Sequence, residues 1–255
     1  MKKRLIIIIT LIFLFLIFIA VILTSINKAL PHKGITFKGK IAIVIDDWGY
    51  HLNNLEIAAD IKQPLTCAIL PNLKSSELVA QKLNSLGFEI ILHLPMEPKE
   101  KCRLEKDTIT TSMGAEEVSS ILDKDLSSVL FAKGISNHMG SRITEDSRVS
   151  ALIMTEAKKR KLYFLDSYVT PKSVCPLLAR RIKLRFAKRD IFLDNQDDLS
   201  YIRAQITKLC NLARKHGQAI GIGHDRKNTL MLLKEVIPQL VKAGYKFVFV
   251  SEIAK

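Results

Sequence analysis

Short apolar runs alternate with amphipathic helical patterns along most of this 255-residue chain, and the alternation restricts its fold more than any other feature. Between the runs, leucine, isoleucine and valine recur at the three- and four-residue spacing of helices with one buried face. Parallel strands need crossover connections, which are usually helical, so the pattern predicts an α/β domain with a parallel sheet, open or closed into a barrel. The runs that we interpret as buried strands are 41–45, 65–70, 88–92, 162–165, 219–222 and 247–250.

The amino-terminal segment has a different character. Residues 5–26 contain only two threonines and one serine as polar interruptions, and such a run is about long enough to cross a bilayer as a helix. A cleaved secretory signal is the alternative, but its apolar core would be shorter and would end at a small-residue cleavage site. The cluster Lys2, Lys3 and Arg4 favours a cytoplasmic amino terminus.

These observations divide the chain into three parts. We expect a cytoplasmic tip and single-pass membrane anchor at 1–26, a linker at 27–40, and one domain at 41–255. The orientation of the anchor places that domain outside the cytoplasm, in the periplasm or at the cell surface.

The chain is basic, with 39 lysines and arginines against 25 acidic residues and a formal net charge of +14. This charge favours contact with anionic lipid or acidic polymer. Nucleic acid is not expected as a partner, because no basic run is interleaved with aromatic residues. The run Lys158-Lys159-Arg160-Lys161 ends a predicted helix, where cations complement the helix dipole. The four cysteines are widely spaced without C-x-x-C, which excludes a zinc knuckle or a redox motif.

Polar residues gather directly after the predicted strands. The carboxyl ends of parallel strands form the usual site of α/β domains, so these residues are the candidates for chemistry. The Asp-Asp pair could also cap a helix, whereas a nucleotide hydrolase is disfavoured because the chain has no G-x-x-x-x-G-K-[ST]. We interpret the Asp194 group, with Asp197 and Asp198, as favouring a helix amino terminus. The residues at the strand ends are Asp46, Asp47, His93, Asn137, His138, Asp166, Asp194 and His224.

The histidines suggest a metal. Taken singly, His93 or His138 could equally be a hydrogen-bonded core histidine. Together with one carboxylate, however, two neutral imidazoles make a common catalytic zinc set that leaves one coordination position open for water. Neighbouring side chains on a regular strand point to opposite faces, so Asp46 and Asp47 can serve one site only if the chain bends, and Gly49 permits a nearby turn.

Six short motifs then resemble, in order, a known family. IDDWG, LHLPMEP, NHMGS, FLDS, FLDN and IGHD are similar to segments of the divergent polysaccharide deacetylases, relatives of the NodB-type carbohydrate esterases. The resemblance covers about residues 40–253. It implies a distorted (β/α) barrel, a divalent metal that is usually zinc, and hydrolysis of an acetamido group on a sugar polymer.

The resemblance also implies roles for individual residues. Asp46 matches the general base, Asp47 and His93 match metal ligands, and His224 matches the histidine that protonates the leaving amine. The relatives read H-x-x-x-H where this chain has glutamate at position 97, so we expect His138, at the end of a neighbouring strand, to be the third ligand, with Glu97 as the alternative.

Other residues receive less definite roles. Glu97, Asn137 and Asp166 are candidates for contact with substrate or for support of the metal ligands. The arginine-proline substrate motif of the family has no evident counterpart.

Two functions follow as hypotheses. One is a metal-dependent hydrolase that removes acetyl groups from N-acetylated cell-envelope polysaccharide. The alternative is a non-catalytic envelope module that binds glycan or a protein partner on the same fold, which the altered H-x-x-x-H favours. A metal hydrolase acting on another amide or on phosphate is a third class.

Overall fold

The computed structural model describes residues 2–29 and 36–255, and the chain divides into two compact units, 1–36 and 37–255. The first unit contains the helix α1 (Lys2–Ala29). Among the described residues, α1 is the one helix that is long and apolar enough to cross a membrane, over Lys2–Ile22. The predicted linker at 27–40 falls partly on residues 30–35, which lie outside the described residues. The first strand begins at Gly39, two residues earlier than predicted.

The second unit contains nine strands, all of which pair in parallel. They are β1 (Gly39–Trp48), β2 (Thr66–Ile69), β3 (Glu89–Met96), β4 (Gly134–Met139), β5 (Tyr163–Asp166), β6 (Phe186–Lys188), β7 (Ile191–Phe192), β8 (Gln218–His224) and β9 (Tyr245–Phe247).

Helices connect most of these strands, as the crossover argument requires. They are α2 (Leu55–Ala59), α3 (Ser76–Ser85), α4 (Ala115–Ser128), α5 (Ser147–Lys159), α6 (Cys175–Ile182), α7 (Leu199–His216) and α8 (Lys227–Lys242), with short 3₁₀ helices at Ile143–Glu145 and Val250–Glu252. Asp146 caps α5 by accepting hydrogen bonds from the amides of Arg148 and Val149.

The strands form one curved sheet in the order β6-β5-β4-β3-β2-β1-β8-β7, and β9 pairs with the first residues of β1. The two outer strands, β6 and β7, follow one another in the chain but do not pair with each other among the described strands. The result is a parallel half-barrel, which confirms the predicted distorted (β/α) barrel.

Both faces of the strands are buried, and this explains why the runs are continuously apolar rather than alternating. Along β1, Ile41, Ile43 and Ile45 pack outward against the helices, whereas Ala42 and Val44 pack inside the barrel. The interior is completed by Ala68, Ile91, Tyr163, Leu165, Ala187, Ile220, Ile222, Val248, Val250 and Ile253.

Two local predictions were incomplete or wrong. Three strands are not among the six predicted runs. The short strands β4 and β7 were indicated only by the polar residues that follow them, and β6 was missed because it is only three residues long and ends in exposed Lys188. The run 247–250 was predicted as a strand, but β9 ends at Phe247. The amide of Val248 still donates to the carbonyl of Ile41, after which the chain turns into a 3₁₀ helix. Apolar residues there line the barrel interior instead of extending the sheet.

Candidate metal centre

The aspartates at the end of β1 reach the same site because the backbone bends at the second one. Asp46 continues the inward-facing series of Ala42 and Val44, as strand alternation requires. Asp47 has a left-handed backbone with φ of +65°, and the pairing register with β2 shifts between Ile45 and Trp48. Aspartate is one of the few residues that tolerates this conformation. The bend therefore lies at Asp47 itself.

Asp47 contacts two histidines from neighbouring strands. Its Oδ1 lies 3.0 Å from Nδ1 of His138 on β4 and 3.3 Å from Nε2 of His93 on β3. One ligand atom from each of the three residues lies within 4.8 Å of the others. The structure thus brings together the set that we predicted for the metal, with His138 as its third member.

The fit of this cluster to a cation can be judged from its unpaired atoms. Among the described residues, Nε2 of His138 and Oδ1 of Asp46 are buried side-chain atoms without a hydrogen-bond partner. Buried polar atoms are normally paired, and a cation with its bound water at this cluster would satisfy both of these atoms. Two imidazoles and a carboxylate suit Zn²⁺ and leave room for water. The residues present therefore fit a divalent metal.

The surroundings of the two aspartates shift their pKa values in opposite directions. Asp46 is 2% exposed, and burial raises its pKa, with the negative charge of Asp47 adding to the increase while His93 opposes it. Burial would also raise the pKa of Asp47, but hydrogen bonds from His138 and His93 hold that pKa well below its usual range. Asp47 is therefore a carboxylate suited to bind a cation, and Asp46 is a stronger proton acceptor.

His93 is oriented by a residue that the sequence reasoning missed. Its Nδ1 lies 2.8 Å from Oγ of Ser136, which is opposite His93 in the β3–β4 pairing. A partner on the second ring nitrogen fixes which nitrogen is free to bind a metal. Ser136 lies two residues before His138 and hence on the same face of β4, a signal that was present in the sequence.

His224 lies beside Asp46 across the β1–β8 pairing and is held by Asp194. Its Nδ1 is 2.7 Å from Oδ1 of Asp194, whose Oδ2 accepts hydrogen bonds from the His224 amide and the Thr229 hydroxyl. Burial lowers the pKa of His224, but Asp194 outweighs it, so the pKa is raised. The prediction that this acidic group favours a helix amino terminus is confirmed for Asp198, which caps α7 through the Tyr201 amide, and is wrong for Asp194, which contacts His224 instead.

Glu97 does not join the cluster, although it was the alternative third ligand. Its Oε2 accepts hydrogen bonds from the amide and hydroxyl of Thr111, and its Oε1 lies 3.1 Å from Nε of Arg142. With both carboxylate oxygens occupied in this way, Glu97 ties the loop at 97–112 to the segment after β4.

The side chain of Asn137 also lies outside the cluster and is hydrogen-bonded to backbone groups. Its amide nitrogen donates to the carbonyl of Met139, and its Oδ1 accepts from the amide of Ser167. Asn137 therefore links the ends of β4 and β5.

Asp166 holds the loop that follows β5. Its carboxylate accepts hydrogen bonds from the amide of Tyr168 and the hydroxyl of Ser173. The structure thus places Glu97, Asn137 and Asp166 in contacts that order the loops around the site.

Arg189, which the sequence reasoning also missed, brings a positive charge to the same end of the barrel. Its guanidinium donates to the carbonyls of Ser167 and Tyr168 and lies 3.7 Å from the centre of the Phe192 ring. That ring stacks on His224, with 5.9 Å between centroids. Burial lowers the pKa of Arg189, and Asp46 is one of the carboxylates that oppose this effect.

The fold and the site together define a class: a parallel α/β half-barrel with an aspartate-histidine cluster at the carboxyl ends of its strands. The family model described as divergent polysaccharide deacetylase matches residues 43–254, and the chain belongs to that family. This confirms the family indicated by the six motifs.

One curated relative is the Escherichia coli K12 protein described as uncharacterized protein YibQ. It is 34% identical over 202 residues, which are 79% of this chain and 63% of YibQ. The chain therefore spans less than two thirds of the length of that relative.

Three solved structures show the same fold. The uncharacterized protein ATU2773 from Agrobacterium tumefaciens has a TM-score of 0.80 at 22% identity, over 86% of this chain and 91% of its own. A family 4 carbohydrate esterase from Streptomyces lividans, in complex with acetate, has a TM-score of 0.56 at 13% identity, over 84% and 94%. BA3943 from Bacillus anthracis, a CE4 family pseudoenzyme, has the same score and identity, over 87% and 67%.

Proposed function

We propose that the protein is a metal-dependent hydrolase that removes acetyl groups from N-acetylated cell-envelope polysaccharide. The observation that carries this proposal is the convergence of Asp47, His93 and His138 beside the buried, partly unpaired carboxylate of Asp46. The family description supports the reaction class and a polysaccharide as the substrate.

The metal ligands in this proposal are Asp47, His93 and His138, and the metal is Zn²⁺. A zinc ion in such a set polarises a carbonyl oxygen and lowers the pKa of bound water. Ser136 keeps the ring of His93 oriented, and the low pKa of Asp47 keeps its carboxylate available to the cation.

In this proposal Asp46 is the general base and His224 is the general acid. Asp46 accepts the proton of the attacking water, for which its raised pKa is suited. His224 donates a proton to the leaving nitrogen, and the Asp194 carboxylate keeps its ring oriented and its pKa raised. The two residues lie side by side on β1 and β8, so both can reach one acetamido group.

The cellular setting follows from the first unit. We infer that α1 anchors the chain in the membrane as a single span, with the domain at 37–255 in the periplasm or at the cell surface. That location gives the site access to envelope polysaccharide.

A non-catalytic module that binds glycan or a protein partner is the second candidate. It is favoured by Glu97 in place of the second histidine of H-x-x-x-H and by the pseudoenzyme among the structures with this fold. The same cluster would then hold a structural metal.

Acetate release distinguishes these functions. The detergent-purified full chain should carry about one zinc per chain and release acetate from peptidoglycan or N-acetylglucosamine oligomers. Asp46→Asn should retain zinc and lose turnover, whereas exposed Asp60→Asn, which pairs with Lys234 away from the site, should behave like the wild type. Zinc-loaded protein that binds these glycans without releasing acetate would instead support the non-catalytic module.

A further inference from the structure

The amino ends of the barrel strands carry three open grooves, of 530, 540 and 550 Å³. They lie at the end of the barrel opposite the candidate metal centre, because most of their lining residues precede or begin the strands instead of following them. The first groove is bordered by the starts of β3, β4 and β5, the second by the start of β6, and the third by the starts of β1 and β8. We call these the amino-end grooves.

Basic side chains line all three amino-end grooves. Arg185 borders both the first and the second groove, and Lys255 borders both the second and the third, so the lining is continuous. The acidic residues there are Glu89, whose carboxylate accepts from the Tyr163 and Thr66 hydroxyls, and Asp190, which accepts from the Ile220 amide. The basic residues are Lys40, Lys133, Arg160, Lys161, Arg180, Lys183, Arg185, Lys188 and Lys255.

Helix ends explain only part of this charge. Arg160 follows α5 and Lys183 follows α6, where cations complement the helix dipole, and Arg160 is also paired with Asp123 and Glu156. Lys133 and Arg185 directly precede strands, so the dipole argument does not apply to them.

Several of these cations are also free to meet a ligand. In the part of the chain that the structure describes, Lys133, Lys161 and Lys183 are exposed and form no ion pair. Charges left exposed and unpaired on one end of a domain attract anionic surfaces.

We propose that the amino-end grooves bind the anionic phospholipid headgroups of the membrane that anchors the chain. The proposal rests on the inferred role of α1 as an anchor. Only nine residues, 30–38, separate α1 from β1, and they can span at most about 30 Å. β1 starts at the end of the barrel where Lys40 and the exposed Phe37 line the third groove. Anionic headgroups complement the exposed, unpaired cations that line the grooves, and a membrane-anchored chain meets such headgroups at high local concentration.

Vesicle binding by residues 37–255, a compact unit with its own core, tests the proposal without the contribution of α1. We expect this domain to sediment with vesicles that contain about one third phosphatidylglycerol and not with phosphatidylcholine alone. The combined variant Lys133→Glu, Lys161→Glu, Lys183→Glu and Arg185→Glu should weaken partitioning at least about tenfold.

A matched variant separates the grooves from net charge. Lys74→Glu, Lys101→Glu, Lys106→Glu and Lys172→Glu change four exposed lysines in loops that follow strands, and binding should remain near the wild-type level. The four groove residues changed to glutamine should weaken binding less than the glutamate set. Equal thermal unfolding of all variants shows that the folds are retained.

Three outcomes would overturn the proposal: no binding to anionic vesicles, equal weakening in both glutamate variants, or binding only to a soluble acidic polymer such as polyphosphate. None of these measurements involves zinc or acetate release, so they remain independent of the hydrolase. Carbonate extraction of the full chain from membranes tests the anchor separately, because a chain that lacks a membrane anchor would be released.

Discussion

His224 and Asp194 form an imidazole-carboxylate pair in which the inner partner is fully buried and the outer one is not. The distance between Nδ1 and Oδ1 is 2.7 Å, and the His224 side chain is 23% exposed. Asp194 is fixed further by the Thr229 hydroxyl. The His224 ring is therefore accessible to solvent or substrate, while Asp194 beneath it is buried and held by hydrogen bonds from the His224 amide and the Thr229 hydroxyl.

Asp194→Asn should reduce kcat by roughly 10²–10⁴-fold while the zinc content stays unchanged. The carboxylate raises the pKa of His224, with smaller contributions from Asp46 and Asp47, so its removal lowers that pKa. A general acid must be protonated, and activity is lost as pH rises through its pKa. The alkaline limb of the kcat/KM profile should therefore move to lower pH.

The control for this change is Thr229→Val, which removes one hydrogen bond to Asp194 and keeps the charge beside His224. It should leave the alkaline limb nearly in place. An unchanged limb in Asp194→Asn would remove His224 from the role of general acid.

His138→Ala should lower zinc affinity by at least about tenfold, because one of the three proposed protein ligands is lost. Glu97→Ala should keep the affinity, since Glu97 contacts Thr111 and Arg142 and not the cluster. Competitive titration with a zinc-binding dye measures both. The opposite ranking would make Glu97 the third ligand.

Ser136→Ala should lower zinc affinity by about 10–100-fold without removing a ligand, because the ring of His93 loses the partner that orients it. Ser127→Ala, in which an exposed α4 hydroxyl bonds only to its own helix, is the matched control. Equal affinities for the two variants would show that Ser136 has no part in orienting the ligand.

Asp125→Asn should change how stability depends on pH. Burial raises the pKa of Asp125 to about 7, although Asn72 opposes the shift, and the ordinary value is 3.8. The folded state therefore binds the proton more tightly than the unfolded state, and the wild type loses stability as pH rises from about 4 to about 7. The variant lacks this loss.

Urea unfolding at pH 5 and pH 8 measures the effect. Between pH 5 and pH 8 the wild type should lose more unfolding free energy than Asp125→Asn. The variant should therefore be relatively more stable at the higher pH. The same difference at both pH values would mean that Asp125 is ionised in the fold at pH 5.

Gly134→Ala should destabilise the domain by roughly 1–3 kcal/mol, because the barrel interior has no room for a methyl group there. An added Cβ would lie 2.6 Å from the Tyr163 ring, which is held by a hydrogen bond to Glu89. Gly114→Ala, with its nearest neighbour 3.9 Å away, meets no such clash and should cost less, at most about 1 kcal/mol for the weaker amino-terminal cap of α4. Thermal and urea unfolding compare the two, and equal costs would refute the steric argument.

The half-barrel could be predicted from sequence because its signals are local. Apolar runs such as 41–45 are buried on both faces, and helical stripes between them identify the crossovers. The grouping of polar residues at the strand ends follows from the same pattern, since parallel strands end at a common edge.

The details of the site depend on contacts between distant residues and were harder to predict. Asp194 and His224 are 30 residues apart and meet only because β7 pairs with β8. The local signal at Asp194 was an acidic group before a helix, and it pointed to capping. The need for a bend near Asp47 was visible, but the φ angle that provides it is not a property of sequence alone.

At Asp47 the left-handed backbone favours glycine, whereas the contacts with His93 and His138 require a carboxylate. Glycine adopts this conformation freely, whereas a residue with a side chain holds it at a cost of about 1 kcal/mol or more. Only an acidic side chain at this position can reach both His93 and His138 with a charge. Glycine at position 47 would relieve the backbone but leave His93 and His138 without the carboxylate that both contact, so selection for a retained metal should return aspartate despite its backbone cost.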